Sequence, residues 1–372
     1  MSFFILVAFI YAIFTCFLAW MWYRIPSIKP NQSKLNISFS VIIPARNEAE
    51  NIAIILSDLS NQSFQNFEVI VVDDASEDET LNIANSFVSQ LSSTFKVISL
   101  KEEAIKVEGK KAAINTGIEI ATGNYIVTTD ADCSVGKDWL LTIAQCLSVT
   151  KAKLISAPVT FYGENSLFEK IQTVEFMSLI GAGAAFMHLK TPNMCNGANI
   201  CYEKKVFEEV GGFSGNEHIA SGDDEFLMHK IASKYPENLK FLKAKQAIVR
   251  TKALPDLKTF FNQRKRWGSK WNHYKSISPK LVAIFVFCFH LVFCSAFIAF
   301  IGGFISSISL TIIFLIKLIP EILFITPILT FSGHKKLIWL IPVVAVIHPI
   351  YVVLFGLAGN FGSFNWKDRV MN

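Results

Sequence analysis

The sequence predicts a soluble α/β domain with a Rossmann-like, mainly parallel sheet, held between N-terminal and C-terminal transmembrane helices. The 372 residues are 52% apolar with a mean hydropathy of +0.40, which is too hydrophobic for an ordinary soluble or disordered chain. Charged residues make up only 17% of the chain and gather in its middle. In that middle part, short runs rich in β-branched residues alternate with helical stretches, which is the pattern of repeated βαβ units.

The first predicted element is a transmembrane helix over residues 1–24. It is apolar over more than the 20 or so helical residues that a hydrocarbon core requires, and residues 20–23 are aromatic residues and methionine, typical of a membrane interface. Arg24, Lys29 and Lys34 follow the helix, and no basic residue precedes it. The positive-inside rule therefore predicts that the N-terminus lies outside and the soluble domain in the cytoplasm. Together with the apolar runs near the C-terminus, this predicts a multi-pass protein of the cell membrane (plasma or inner).

The soluble domain is predicted over residues 38–255. Strands are expected over residues 38–44, 67–72, 96–100, 125–129 and 154–159, and helices over residues 48–59 and 79–91. This alternation favours an open sheet with helices on both faces. Because ligands of such sheets bind outside the carboxyl ends of the strands, the polar residues that follow each strand are the candidate site residues.

Two of these strands are followed by acidic residues. Asp73 and Asp74 follow the second strand, whereas Asp130 and Asp132 follow the strand at residues 125–129. Carboxylates at one sheet edge suit a hard cation such as Mg²⁺ or Mn²⁺ that also holds a diphosphate. A turn or a helix cap is the other interpretation of an isolated Asp-x-Asp. The chain has no Gly-x-Gly-x-x-Gly and no P-loop motif, which disfavours dinucleotide-dependent dehydrogenases and P-loop ATPases.

A third acidic group opens a helical stretch further along the chain. Asp223, Asp224 and Glu225 follow Gly222 directly. A carboxylate in this position is a candidate general base. Acidic residues at a helix N-terminus also act as simple caps, and that interpretation stays open for the group taken alone.

An interfacial amphipathic helix is predicted over residues 256–278, where apolar and basic residues recur at helical spacing. It carries Gln263, Arg264, Arg266 and Trp267. The guanidinium groups offer donors for phosphate, and the indole offers a face for a sugar or a nucleotide ring. A plain juxtamembrane anchor is the alternative.

The C-terminal membrane region is predicted over residues 281–359, with apolar runs at residues 281–300, 305–328 and 337–357. The middle run contains Lys317, Glu321 and two prolines. It is compatible with one kinked span, a re-entrant hairpin or two short elements. The side of the membrane on which the tail, residues 360–372, lies is therefore open.

The net charge and the cysteine spacing argue against a nucleic-acid partner, a disulfide framework and a zinc site. The net charge of +5 is small and forms no nucleic-acid-binding stripe, so no nucleic-acid partner is expected. The seven cysteines include no Cys-x-x-Cys pair, which indicates neither a disulfide framework nor a zinc site.

Taken in chain order, the motifs resemble those of membrane-bound family 2 glycosyltransferases, the relatives of cellulose, chitin and hyaluronan synthases and of ceramide glucosyltransferase. The matching segments are VIIPARNE (residues 41–48), VVDDAS (71–76), GKKAAIN (109–115), TDAD (129–132), GDD (222–224) and QRKRW (263–267), with NGAN (196–199) and VGGF (210–213) on the acceptor side. The resemblance implies a GT-A fold and an inverting transfer of a hexosyl group from a nucleotide-diphosphate sugar, expected to be UDP-linked, to a membrane-associated acceptor.

The resemblance also implies roles for individual residues. Asp224 is the expected catalytic base, and Asp132 with Asp130 the expected ligands of Mg²⁺ or Mn²⁺. The expected donor-binding residues are Pro44, Arg46, Glu48, Asp73, Asp74, Lys110, Asp130, Gln263, Arg264, Arg266 and Trp267, and the expected acceptor-side residues are Asn196, Gly197, Asp223 and Trp267.

The acceptor stays open at this point. Polysaccharide synthesis is the first expectation, and a lipid such as a ceramide, a diacylglycerol or a polyprenyl phosphate that receives one or a few sugars is the alternative. A membrane protein that binds a nucleotide sugar without transferring it is the rival of another class.

Overall fold

A computed structural model describes residues 2–27, 36–91, 94–101, 109–216, 219, 222–270, 274, 276–358, 364–366 and 369–371. Lys29 and Lys34, on which the predicted orientation partly rests, lie outside the described residues, as does most of the tail.

The elements alternate in the predicted way. In chain order they are α1 (Ser2–Arg24), β1 (Phe39–Ala45), α2 (Ile52–Ser60), β2 (Phe67–Asp73), α3 (Thr80–Leu91), β3 (Phe95–Ser99), α4 (Lys110–Ile120), β4 (Tyr125–Thr128), α5 (Trp139–Thr150), β5 (Leu154–Ser156), β6 (Val159–Tyr162), α6 (Leu167–His188) and β7 (Ile200–Glu203). They continue with α7 (Lys204–Glu209), α8 (Asp223–Lys234), β8 (Leu239–Phe241), β9 (Val249–Lys252), α9 (Leu257–Ser269), α10 (Ile277–Ile301), α11 (Ser307–Ser332), α12 (Ile341–Ala358), β10 (Phe364–Trp366) and β11 (Arg369–Met371).

The predicted mainly parallel sheet is confirmed. Within the described residues it has seven strands in the order β3-β2-β1-β4-β7-β5-β8. All neighbouring pairs are parallel except those of β7 with β4 and β5. The residues of β1 and β2 are almost all buried, because helices cover both faces of this sheet. In β1, Val41 pairs with Val69 on one side and with Val127 on the other, so β1 is an interior strand of the sheet.

The single strand predicted over residues 154–159 is wrong. The structure has two strands there, and β6 leaves the main sheet to pair with β9 in a two-stranded sheet. Pro158 lies at the break. A proline has no N–H to donate to a strand ladder, although its carbonyl oxygen still accepts a bond from the Val249 N–H at 3.0 Å.

Among the described residues, four helical segments are long and apolar enough to cross a membrane: α1, α10, α11 and residues Lys335–Ala358, which comprise a 3₁₀ turn and α12. The middle C-terminal run is one continuous helix, α11, rather than a hairpin or two short elements. Its two charged residues are paired with each other. The Lys317 ammonium pairs with Glu321 at 2.7 Å, and the hydroxyl of Tyr11 in α1 donates to the same carboxylate at 2.9 Å. These side chains therefore do not face lipid.

The α/β domain and the long apolar helices share one apolar core. The buried cluster runs from the strands through α6 to α1, α11 and α12. Trp22 at the end of α1 shows the continuity, because its ring packs against Phe241 of β8 and Phe331 of α11. The sheet edge is thus held at a set position relative to the apolar helices.

Candidate active site

A cavity of about 1040 Å³ opens at the carboxyl edge of the sheet. Three parallel strands, β1, β2 and β4, end at this edge, as the predicted topology requires. Pro44, Arg46 and Glu48, at the end of β1 and just beyond it, line the cavity. The residues that follow β2 and β4 supply three of its carboxylates, those of Asp74, Asp130 and Asp132.

Asp74 is held at the cavity wall by two neighbouring segments. Its Oδ1 atom accepts a hydrogen bond from the Gly109 N–H at 3.1 Å, and its carbonyl oxygen accepts one from Nη1 of Arg46 at 2.7 Å. Gly109 has a φ of 107°, which lies in the region that favours glycine. This conformation turns the chain so that the Gly109 N–H reaches Asp74 and α4 begins at Lys110.

Asp73 does not reach the cavity. Its side chain is buried behind the rim, where Oδ2 accepts a bond from the Ser76 N–H at 3.2 Å. Burial raises the pKa of Asp73, and the nearby carboxylates of Asp74 and Asp78 add to the effect, against the hydrogen bonds from Ser76. Of the two predicted base-binding acids, the structure brings only Asp74 to the site.

Lys110 and Asp130 form an ion pair on the floor of the site, with Nζ and Oδ1 2.5 Å apart. Burial works to lower the pKa of Lys110, but the carboxylates of Asp130, Asp223 and Asp224 outweigh it and hold the pKa above its ordinary value. The ammonium is thus the positive centre of a ring of carboxylates.

Asp224 is oriented by two backbone donors. Its Oδ2 accepts from the Gly197 N–H at 2.7 Å, and its Oδ1 accepts from the Glu225 N–H at 2.8 Å. Asn196 shapes the turn that carries Gly197, because its Oδ1 accepts from the Ala198 N–H at 3.0 Å. The predicted acceptor-side segment and the acidic helix α8 therefore meet at this carboxylate.

The start of α8 depends on Gly222, which has a φ of 78°. A Cβ on this residue would also lie 2.9 Å from Cε2 of Phe226 and 3.1 Å from Cδ of Lys270. Both the backbone conformation and the lack of space therefore require glycine here. This turn places Asp223 and Asp224 in the first turn of the helix.

Asp223 belongs to the ring of carboxylates around Lys110, and Arg266 faces that ring. Burial raises the pKa of Asp223, and the Asp224 and Asp130 carboxylates act in the same direction against the Lys110 ammonium. Burial lowers the pKa of Arg266, but the facing carboxylates of these three aspartates oppose that shift, and a guanidinium stays charged in any case. The structure thus brings Arg266 to the cluster, and Gln263 and Trp267 also line the cavity.

Arg264 is not brought to this ring. Its Nη2 lies 2.5 Å from Oε2 of Glu175 in α6, and both side chains are buried. The guanidinium carbon lies 4.2 Å from the ring centroid of Trp267 and 4.8 Å from that of Phe260. Arg264 therefore ties α9 to α6 at the membrane side of the cavity. The sequence carried no signal for Glu175, which lies inside an apolar helix.

A second network that the sequence did not reveal lies behind Asp224. Oε2 of Glu225, which is 4% exposed, is 3.0 Å from the Lys270 ammonium and also accepts a hydrogen bond from the Tyr274 hydroxyl. Glu225 is thus committed to the segment that follows α9. The acidic spacing marked Glu225 as a candidate, but only the fold shows its partners.

The two carboxylates that follow β4 are suitable ligands for a divalent cation. Asp130 and Asp132 both line the cavity, and no group of three or more His, Cys, Asp or Glu side chains with metal-binding geometry occurs among the described residues. The protein therefore offers two carboxylates here, and diphosphate oxygens and water would complete the shell. Mg²⁺ is usually bound in this way, by one or two carboxylates together with substrate phosphates.

Known proteins are similar to the part of the chain that forms much of this cavity. Residues 40–211 match the family model described as Glycosyl transferase family 2. The chain is 32% identical over 189 residues to glycosyltransferase AglE of Haloferax volcanii, covering 50% of this chain and 58% of that protein. It is 26% identical over 174 residues to poly-beta-1,6-N-acetyl-D-glucosamine synthase of Staphylococcus epidermidis, covering 46% and 41% respectively. The chain thus spans about half the length of these curated relatives.

The fold is also found in a solved structure. The mannosyltransferase PcManGT from Pyrobaculum calidifontis, in complex with GDP-Man and Mn²⁺, superposes with a TM-score of 0.61 at 18% identity. The match covers 94% of this chain and 99% of that one, so the two share the arrangement of the sheet and of the helices that follow it.

Proposed function

We propose that the protein is an inverting hexosyltransferase, because residues 40–211 match the family model described as Glycosyl transferase family 2 and the fold is shared with a solved mannosyltransferase. It moves a sugar from a nucleotide-diphosphate donor to a membrane-associated glycan or lipid. One observation carries this proposal: Asp224, fixed by the Gly197 N–H, shares a single cavity with Lys110 and the Asp130–Asp132 pair. A candidate base, the Lys110 ammonium and two carboxylates suited to a metal ion thus face one cavity.

The nucleotide-sugar donor binds at the carboxyl edge of the sheet. Asp74, fixed by Gly109, binds the base of the nucleotide, and Lys110 and Arg266 face the diphosphate. We propose a UDP-sugar as the donor. Because one solved structure with this fold contains GDP-Man, the test of this point includes GDP-sugars.

Asp132, together with Asp130, holds Mg²⁺ or Mn²⁺ in this proposal. When bound, the cation would offset the negative charge of the departing diphosphate. Lys110 and Arg266 supply further positive charge where the leaving group develops its charge, and such preset charges need no rearrangement during the reaction.

Asp224 acts on the acceptor. Its carboxylate removes the proton from the acceptor hydroxyl, whose oxygen attacks the anomeric carbon on the face opposite the diphosphate. The bond to the new glycosidic oxygen forms as the bond to the diphosphate breaks, and the configuration inverts. The backbone bonds from Gly197 and Glu225 hold the carboxylate in a set direction for this step.

The site faces the cytoplasm in this proposal, since the basic residues gather after α1 and along α9, and anionic cytoplasmic lipids attract such segments. A cytoplasmic site would have direct access to cytoplasmic nucleotide sugars.

The function is tested with the full chain in lipid nanodiscs. UDP- and GDP-sugars are screened with Mn²⁺ present, and release of the free nucleotide is measured with and without a membrane lipid extract. We expect one donor to be consumed with transfer of its sugar, and Asp138→Asn, a change at the start of α5 away from the cavity, to behave as wild type. Tight binding of a nucleotide sugar without release or transfer would instead identify a non-enzymatic binding protein.

A further inference from the structure

The cavity does not end at the acidic ring. The same space continues past Trp267 and is lined by Ile180 of α6, by Val282 and Phe287 of α10, and by Val352 and Phe355 of α12. Two of these helices, α10 and α12, belong to the segments that are long and apolar enough to cross a membrane. One continuous space therefore joins the carboxylates to an apolar cleft between membrane helices.

The volume allows a second ligand beside the donor. Small-molecule sites commonly enclose about 300–1,000 Å³, and this cavity measures about 1040 Å³. A nucleotide sugar at the sheet edge leaves the apolar part unused, because its phosphates and hydroxyls need polar partners.

Arg264 marks the junction of the two parts. It is 3% exposed and lines the cavity, yet its Nε and Nη1 atoms have no hydrogen-bond acceptor among the described residues. Buried N–H donors without partners are costly. Because Glu175 already balances the charge of the guanidinium, an uncharged ligand oxygen is sufficient to satisfy these donors.

The polar end of the ligand meets carboxylates. Asp223 and Asp224 face the acceptor side of the cavity. The nearby cations are already balanced, because Lys110 and Lys270 are paired with Asp130 and Glu225, and Arg266 faces three aspartates. A hydroxyl suits a base such as Asp224, whereas an anionic headgroup would face like charge. A sugar polymer would bring hydroxyls into the aliphatic and aromatic cleft, where they would lose their hydrogen bonds to water.

We propose that the apolar cleft between α6, α10 and α12 binds the hydrocarbon chain of the acceptor, which is a long-chain lipid with an uncharged headgroup and a free hydroxyl. This inference rests on the proposed function and narrows its acceptor. The lipid hydroxyl lies at Asp224, an oxygen of the headgroup accepts hydrogen bonds from Arg264, and the chain leaves towards the bilayer between α10 and α12.

Occupancy is tested first without any donor. A diacylglycerol with a photoreactive diazirine in its acyl chain is added to the full chain in nanodiscs, and labelled peptides are mapped by mass spectrometry. We expect labels on the cavity side of α10 and α12. Ala283→Trp, which fills the cleft, should abolish most of this labelling, whereas Leu281→Trp, on the exposed face of the same helix, should not.

A second pair of variants tests the opposite wall of the cleft, in α12. Val352 lines the cleft and Ile350 does not. Val352→Trp should therefore reduce the labelling, whereas Ile350→Trp should not. Thermal unfolding in nanodiscs and nucleotide binding show that each variant is folded. Equal labelling of cleft-filling and control variants, or labels confined to the lipid-facing side, would overturn the lipid site.

Transfer assays separate this inference from the proposed function. We expect Ala283→Trp to bind the nucleotide sugar as wild type does and to lose sugar transfer to diacylglycerol. Preferred transfer to a polyprenyl phosphate would overturn the uncharged headgroup, and undiminished transfer to a soluble oligosaccharide by Ala283→Trp would overturn the lipid acceptor while leaving glycosyl transfer intact. Normal lipid labelling with no transfer from any donor would overturn the proposed function but support the lipid site.

Discussion

The Oδ2 atom of Asp224 accepts a hydrogen bond from the backbone N–H of Gly197 at 2.7 Å. This bond joins the first turn of α8 to the turn that precedes β7, two segments that lie 27 residues apart in the chain. The direction of the candidate base is therefore set by a main-chain donor, which among substitutions at position 197 only proline would remove.

Asp224→Asn should abolish transfer while leaving nucleotide binding unchanged. The amide oxygen still accepts the Gly197 bond, but the side chain no longer takes up a proton, and loss of a general base typically costs about 10²- to 10⁴-fold in rate. Sugar transfer and nucleotide binding are measured side by side, with Asp138→Asn as the control. A near wild-type rate would place the base elsewhere, with Asp223 as the next candidate because Glu225 is already paired with Lys270.

Gly197→Ala should impair transfer without unfolding the protein. The added Cβ would lie 3.4 Å from Oδ2 of Asp224 and 3.5 Å from Nζ of Lys110, which is ordinary contact but occupies the space between base and cation. We expect a fall in kcat with little change in thermal unfolding, and Gly136→Ala, in an open position, is the matched control. Unchanged kcat would show that the acceptor approaches from another side.

Asp132→Ala should weaken binding of Mn²⁺ in the presence of the donor nucleotide. With Asp130 engaged by Lys110, loss of Asp132 leaves the cation without its main protein ligand. Calorimetric titration of Mn²⁺ into the protein–nucleotide complex reports on this directly, and EDTA should stop turnover of the wild type. Full activity in excess EDTA would exclude a metal role for this pair.

Arg266→Lys should lower turnover far more than it lowers stability. The substitution keeps one positive charge but loses the planar guanidinium fork that faces Asp130, Asp223 and Asp224. Lys265→Arg, the adjacent exchange in the opposite direction, is the control. If Arg266→Lys has wild-type kinetics, α9 serves as an anchor and not as part of the site.

Glu175→Gln should destabilise the protein, because it leaves the buried Arg264 guanidinium without its counter-charge. Removing one partner of a buried ion pair typically costs about 3–5 kcal/mol. Replacing both residues by leucine should recover much of the loss in thermal unfolding, since no uncompensated charge then remains. If the single change is neutral and the double change is not, the pair is not the link between α6 and α9.

Several features followed from the sequence because they depend on local pattern. Buried apolar runs predicted β1, β2 and β4, and parallel pairing then required Asp74 and Asp130 to meet at one edge. The left-handed glycines at positions 109 and 222 lie in motifs that the spacing had already marked. The lengths and apolar character of α1, α10 and α12 also needed no tertiary information.

Other features did not follow from the sequence, because competing local interpretations had similar weight. The run at residues 154–159 has strand composition throughout, yet Pro158 interrupts the ladder and β6 pairs with β9 instead. Polar residues and two prolines made α11 ambiguous until the contacts of Glu321 with Lys317 and Tyr11 were known. Asp73 and Asp74 are adjacent in the chain, but only the latter faces the cavity.

The sequence by itself determined which elements form and which chemical groups they carry. These elements are the sheet with its acidic strand ends, the helix that carries Gln263 to Trp267, and the long apolar segments. Tertiary structure alone decided which of these groups act together. Arg264 pairs with Glu175 across 89 residues, and Asp224 bonds with Gly197 across 27. The physical reason is that burial and charge pairing depend on distances between elements, and periodicity along one chain contains no information about those distances.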